Sequence, residues 1–284
     1  MSVRVVWITG AGGFIGSHLL RAVPKLESGW RPVAWTRERL DLTDALTLER
    51  AFAADPPDAV IHAAALSRAS LCQADPARAE LLNVEVTRQL TDLAAEIPLL
   101  FLSTDVVFDG RKGGYVEADP IHPLSVYAET KARAEAHVLA HPRHAVVRLA
   151  LTAGVSPTGD RSFSEELRRA WDRGDTLTFF RDEFRSPLPA SVAARAIWEL
   201  LVGGHCGLFH LGGSERLSRW EIGQLLAQRW RIEPRLLREG SREAYTGPPR
   251  PADTSMCCAR LQGLLSFPLP GLRQWAAENP AEPL

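Results

Sequence analysis

The chain has 284 residues, 45% hydrophobic and 24% charged, with 33 basic against 34 acidic side chains and a formal net charge of −1. Such a composition supports a sizeable core in one large domain, or a main domain with a smaller one, and makes no demand for nucleic acid or an anionic membrane as partner. No apolar run approaches the roughly 18 residues of a membrane span, the N-terminus reads as a strand and not a secretory signal, and Cys72, Cys206, Cys257 and Cys258 lack CxxC or zinc-site spacing, so a cytoplasmic protein with reduced thiols is expected.

In chain order, VRVVWITG is a short apolar strand and FIGSHLLRAV an amphipathic helix. PVAWTR is a second strand, and LTDALTLERAFAADPP a helix with a candidate cap at Thr43. AVIHAAA is a third strand, PARAELLNVEVTRQLTDLAAEI one long helix, and PLLFLST a fourth strand. VYAETKARAEAHVLAH then reads as a helix and HAVVRLAL as a fifth strand. Alternating strands and helices predict an α/β, Rossmann-type doubly wound parallel sheet over residues 1–150. Residues 151–284 are less regular: helices at SFSEELRRAWDRG, SVAARAIWELLVGG and SRWEIGQLLAQRW (capped by Ser218), a strand at GLFHLGG and a loop at GPPRPADT. This half is expected to form mainly a smaller substrate-binding lobe, with some segments returning to the first domain.

Gly10, Gly13 and Gly16 fall three apart between the first strand and first helix. Glycines there let the backbone approach a pyrophosphate, and the helix N-terminus supplies N–H groups and the positive end of its dipole. A dinucleotide cofactor is expected. About 20 residues past the last glycine, where the ribose is read, stand Thr36, Arg37 and Glu38. Arg37 and Thr36 suit a 2′-phosphate and Glu38 a 2′-hydroxyl, so NADPH is favoured and NADH is the alternative.

Tyr127 and Lys131 are four apart and share a helix face. An ammonium beside a phenol lowers its pKa, and such a tyrosine protonates a carbonyl oxygen as hydride reaches the carbon. Thr104 ends the fourth strand, at the edge where open α/β sheets bind ligands, and its hydroxyl is placed to hold the same oxygen.

The glycine turn, the threonine ending strand four and YxxxK together resemble an extended short-chain dehydrogenase/reductase. More narrowly, LDLTD (40–44), PDAVIHAAA (57–65), STDVVFDG (103–110), PLSVYAETK (123–131), SPLPASVAARAI (186–197), GLFHLGG (207–213) and RPADTSM (250–256) are similar to the dTDP-4-dehydrorhamnose reductase family. The resemblance spans nearly the whole chain. It implies that Gly10, Gly13, Phe14, Ile15 and Gly16 line the pyrophosphate and that Asp41 and Leu42 border the adenine. Ala63, Ala64 and Ala65 would pass under the nicotinamide half, and Ser103 and Thr104 would face the nicotinamide and the substrate carbonyl. Tyr127 would be the acid, and Lys131 would hold the nicotinamide ribose. Thr104, Asp105, Leu151 and Arg185 are the candidate substrate contacts, and Asn83 is a structural or functional position on the long helix.

The family pattern is broken on the substrate side. Val106 replaces a tyrosine, Arg148-Leu149-Ala150-Leu151 replaces R-T-S-W, Phe14 replaces a glutamine, and Arg185-Ser186-Pro187-Leu188 replaces G-[AS]-P-T. Arg185, Arg161 and Arg148 are candidates for an anionic substrate group or for structural ion pairs. The leading expectation is an NAD(P)H-dependent reductase of a nucleotide-activated ketosugar or a related small polyol-like carbonyl compound. A sugar-nucleotide epimerase, and an NADP-binding regulatory subunit like the methionine adenosyltransferase beta subunit, are the alternatives. A homodimer is compatible with the resemblance; no acidic set maps to a bridging metal, so no metal is expected.

Overall fold

Ala59–His62 and Leu99–Thr104 are buried at every position, and strands apolar on both faces demand cover on both. The computed structural model describes residues 3–23, 29–247 and 249–284; Pro248 of the expected GPPRPADT loop lies outside them. The first half runs β1 (Arg4–Thr9), α1 (Phe14–Ala22), β2 (Trp30–Trp35), α2 (Ala45–Ala54), β3 (Ala59–His62), α3 (Ala69–Ala74), α4 (Pro76–Glu80), α5 (Val86–Leu93), β4 (Leu99–Thr104), α6 (Val126–Leu139) and β5 (Ala145–Leu149). The second half is built of shorter pieces: β6 (Thr152–Ala153), α7 (Phe163–Asp172), β7 (Leu177–Phe180), β8 (Phe184–Arg185), β9 (Leu188–Pro189), α8 (Ala190–Val202), β10 (Gly207–Leu211), β11 (Leu217–Ser218), α9 (Arg219–Trp230), β12 (Leu237–Gly240), α10 (Ala259–Gln262) and α11 (Leu272–Glu278).

The central sheet has the order β10-β5-β4-β3-β1-β2, and every pair is parallel. Chain direction across the sheet reverses between β1 and β3, so the crevice at their carboxyl ends is the switch point where such sheets bind ligands. Side chains alternate across the pleat. Val6 and Ile8 join one core with Leu19, Trp198 and Phe209, while Trp7 joins the other with Leu48, Leu90 and Phe101. Trp198 is fully buried, and its indole N–H donates to the Leu19 carbonyl at 2.9 Å. A helix of the second half is thereby locked onto α1, and β10 completes the sheet beside β5. A third core, with Trp171, Phe179, Leu226 and Trp275, belongs to the second half alone.

Two local expectations are corrected. The cap of α2 is Asp44, which accepts from Thr47 N at 3.1 Å; Thr43 instead gives its N–H and hydroxyl to Asp41. The long helix after β3 is interrupted by a π-helical turn, Leu81–Glu85, and the short α3, absent from the sequence reading, precedes it. No helix among the described residues is long and apolar enough to cross a membrane.

Candidate active site

The glycine turn sits at the switch point because nothing larger fits. A Cβ on Gly10, whose φ is +65°, would come within 2.7 Å of the Ala64 backbone, and one on Gly16 within 2.2 Å of the Gly10 carbonyl. These glycines bring β1, β3 and α1 together. Gly13 is the N-cap of α1 and offers no side chain, so the first-turn N–H groups of the helix lack an internal cap. Phe14, Ile15 and Gly16 occupy that turn. An uncapped N-terminus at the switch point fits a dinucleotide's diphosphate.

At the end of β2, Arg37 is exposed, and its guanidinium has no hydrogen bond or ion pair among the described residues. The competing acid Glu38 is held below the usual carboxylate range by its own backbone N–H and by the Thr36 hydroxyl. Asp41 is held low by the Thr43 hydroxyl and N–H. Leu42 lines a separate surface hollow with Ala45 and Gln89.

After β3, residues Ala63, Ala64 and Ala65 follow His62 into the crevice. Two buried groups fix this loop. The Thr9 hydroxyl accepts from Ala64 N at 3.3 Å and pairs with His62 Nδ1 at 2.7 Å. Asn83, 1% exposed on the π-helical turn, accepts from Leu66 N at 2.8 Å and donates to Leu66 O and to Thr130 Oγ1. Single π-turns in α-helices recur at functional sites; here the turn carries the side chain that ties the loop to α6.

Thr104 at the carboxyl end of β4 reaches Tyr127, and Lys131 lies one turn further along α6, over Phe101 of β4. Ser125 caps α6 by accepting from Ala128 N, which fixes where Tyr127 falls. The Thr104 hydroxyl donates to Asp105 Oδ1 at 3.2 Å. Burial pushes the Tyr127 phenol well above its ordinary value; the Thr104 hydroxyl opposes the rise and Asp105 adds to it. This reverses the expected acidification by Lys131, because desolvation dominates. Lys131 is 2% exposed, with Nζ 3.8 Å from the centroid of the Phe101 ring, and burial pushes its ammonium down to about 7 against the pull of Glu135. A hollow of about 650 Å³ opens beside the start of α6, lined by Gln73, Pro123, Ser125, Val126, Glu129 and Thr246.

Several sequence candidates are committed elsewhere. Ser103 donates to Glu135 at 2.5 Å instead of facing the crevice, and Glu135 forms a buried pair with Arg148 at 2.8 Å. Arg148 is thus structural. Asp105 is 4% exposed and accepts from Thr254 at 2.6 Å, so it orients Thr104 and does not open to substrate. Arg185 is 5% exposed, donates to the Phe184 and Pro251 carbonyls, and pairs with Glu183 at 2.9 Å; these partners tie it to the protein. Leu151 is half-buried against the second-half core. Arg161 reaches the glycine turn, donating to the Gly12 carbonyl at 3.1 Å. The sequence reading missed Glu135, Glu183 and Arg219. The Ser218–Glu221 capping box signals a helix start, but not what its first residue touches. Among the described residues no cluster suited to a metal ion occurs.

A profile of the RmlD substrate binding domain matches residues 4–280. A dTDP-4-dehydrorhamnose reductase of Sinorhizobium fredii is 28% identical over 279 residues, which cover 93% of this chain and 92% of that protein. Methionine adenosyltransferase 2 subunit beta of Bos taurus is 26% identical over 286 residues, covering 92% of this chain and 82% of that protein. The solved structure of a dTDP-4-dehydrorhamnose reductase from Bacillus anthracis, in complex with NADP, shares the fold: TM-score 0.88, 20% identity, 97% of this chain and 98% of that one.

Proposed function

Because the chain belongs to the RmlD substrate binding domain family, we propose that it is an NADPH-dependent reductase acting on a carbonyl of a nucleotide-activated ketosugar. The observation that carries the reading is the convergence of Thr104, Tyr127 and Lys131 on the crevice headed by the uncapped glycine turn. The dTDP-4-dehydrorhamnose reductase relative, and the NADP held by the Bacillus anthracis protein, support the substrate class and the cofactor. The α1 N-terminus takes the diphosphate and Arg37 a 2′-phosphate. Lys131, whose ammonium lies over the Phe101 ring and feels Glu135, takes ribose hydroxyls. A bound reduced nicotinamide supplies hydride.

The protein's own part is proton delivery. Thr104, whose one hydroxyl proton rests on Asp105 in the ligand-free site, turns that proton to the carbonyl oxygen when substrate binds. Tyr127 is firmly protonated in the ligand-free site, so it holds the proton that the oxygen needs. As negative charge builds on that oxygen and then on the phenolate, protonated Lys131 on the same helix face stabilises it. NADPH oxidation against a panel of 4-ketosugar nucleotides and simple carbonyls tests the reading. Consumption that requires a ketosugar nucleotide supports it; tight NADPH binding without turnover refutes it.

One second reading has its own support. The methionine adenosyltransferase 2 beta subunit matches at 26% against 28% for the reductase, and Asp105 and Arg185 are tied up within the protein. A regulatory subunit would bind NADPH, leave it unoxidised and change the kinetics of an added partner enzyme. An epimerase would retain NAD and interconvert sugars without net NADPH loss.

A further inference from the structure

Beyond Thr104, Tyr127 and Lys131, three arginines of the second half, Arg185, Arg219 and Arg250, gather around Glu183, with Asp105 nearby. Glu183, 1% exposed, accepts from Arg250 at 2.7 and 2.8 Å and from Arg185 at 2.9 Å. Asp105 takes the hydroxyls of Thr104 and Thr254 and faces Arg185 at 3.7 Å. Two carboxylates are thus committed to two guanidiniums, and Arg219 is the third cation of the cluster. Its backbone N–H donates to the Glu183 carbonyl at 2.8 Å, which fixes the start of α9 beside the others. Its guanidinium lies 5.0 Å from the centroid of the Phe163 ring. Among the described residues it has neither a carboxylate within 4.0 Å nor a side-chain hydrogen bond.

A charge in such surroundings normally carries a partner. Burial pushes Arg219 down to about 10; Glu183 opposes the fall, while Arg250 and Arg185 add to it. Even so the residue keeps accessible surface, so a ligand from solvent can reach it. Phe163 begins α7, and the loop leading to α7 reaches the glycine turn through Arg161 on Gly12 and reaches α1 through Val155, whose carbonyl meets His18 at 3.0 Å. Arg219 feels Glu183 most and Asp105 least among its charged neighbours, and Asp105 also acts on Tyr127. A planar guanidinium resting on an aromatic face presents its N–H fork edge-on, the geometry that grips phosphate.

The geometry points to Arg219, floored by Phe163, as the group that binds a phosphate ester of the substrate. The identity of that ester as a sugar nucleotide rests on the reductase reading; the binding site does not require turnover.

The test is calorimetric titration of dTDP, and separately inorganic pyrophosphate, into the full chain saturated with NADP⁺. Arg219→Met should weaken dTDP by about tenfold or more, with Arg219→Lys between it and the unsubstituted protein. Arg238→Met, which removes an exposed charge from the same half, should change nothing, and NADPH affinity should hold in all variants. Equal dTDP affinity in Arg219→Met overturns the inference, as does no binding of either anion by the unsubstituted protein, or a loss that NADPH binding shares. Pyrophosphate binding that matches dTDP in strength and in dependence on Arg219 assigns the site to phosphate alone; weaker pyrophosphate binding assigns it to the nucleotide. Arg219-dependent dTDP binding without ketosugar reduction upholds the site and sinks the reductase; reduction with an unchanged KM in Arg219→Met does the reverse.

Discussion

Lys131→Met should make the protein more stable while abolishing turnover. In the folded chain the ammonium titrates near 7 instead of 10.5. At about 1.36 kcal/mol per pKa unit, holding the charged form inside costs roughly 5 kcal/mol. Methionine fills similar space without a charge. It forfeits the contact with Phe101, about 1–2 kcal/mol; the attraction to Glu135 is already contained in the lowered titration, which leaves a net gain of roughly 3–4 kcal/mol. For a chain of this size that is a rise of about 6–12 °C in Tm. The sign with pH is distinctive. Above 10.5 the lysine is neutral whether folded or unfolded and costs nothing. As pH falls from 10.5 to about 7 only the unfolded chain takes up the proton, so stability is lost through that window and is constant below it. The margin of Lys131→Met over the unsubstituted protein, read from urea midpoints, should therefore be largest near pH 6 and close by about pH 10. A variant that is less stable at pH 6, or whose margin ignores pH, would refute the reasoning.

Tyr127→Phe should bind NADPH normally and lose roughly 10²- to 10⁴-fold in kcat; steady-state and equilibrium assays separate the two. Arg37→Ala should weaken NADPH about 10- to 100-fold and leave NADH nearly unchanged, and an equal loss for both would remove Arg37 from the 2′-phosphate. Arg148→Met should cost about 3–5 kcal/mol, because it strands the Glu135 carboxylate, and Glu135→Gln added to it should recover most of that; simple additivity of the two would contradict the pairing. Burial holds His62 neutral in the folded state down to about 3, so its stability contribution is complete above 6.5 and fades as pH falls to about 3, by about 1.4 kcal/mol per pH unit. Denaturant midpoints of His62→Asn should be flatter over that range.

The sheet, its direction and the glycine turn were legible because each leaves a local mark: apolar runs, alternating elements, glycines at fixed spacing. Tyr127 and Lys131 were legible for the same reason, four residues apart on one helix. What escaped depends on contacts across the chain. Arg185 and Arg148 stand open between a substrate anion and structural ion pairs until Glu183 and Glu135 are seen beside them, and the Ser103 hydroxyl, expected to face the nicotinamide, is found on a helix residue 32 positions away. The sense of the Tyr127 shift was missed because spacing conveys proximity to an ammonium but not the desolvation that outweighs it. The π-helical turn leaves no periodic signature in five residues.

The position of β10 bears on how this chain is made. Its five residues, Gly207–Leu211, pair with β5, and the α8 indole that clamps α1 comes just before them. A ribosome that has released only the first half has therefore produced a sheet whose β5 flank is bare, its backbone N–H and C=O groups unpaired and its side chains apolar. Some sixty further residues must emerge before that flank is covered. Synthesis thus passes through an interval in which the growing polypeptide is prone to self-association, and a chaperone able to shield one strand edge would matter most then.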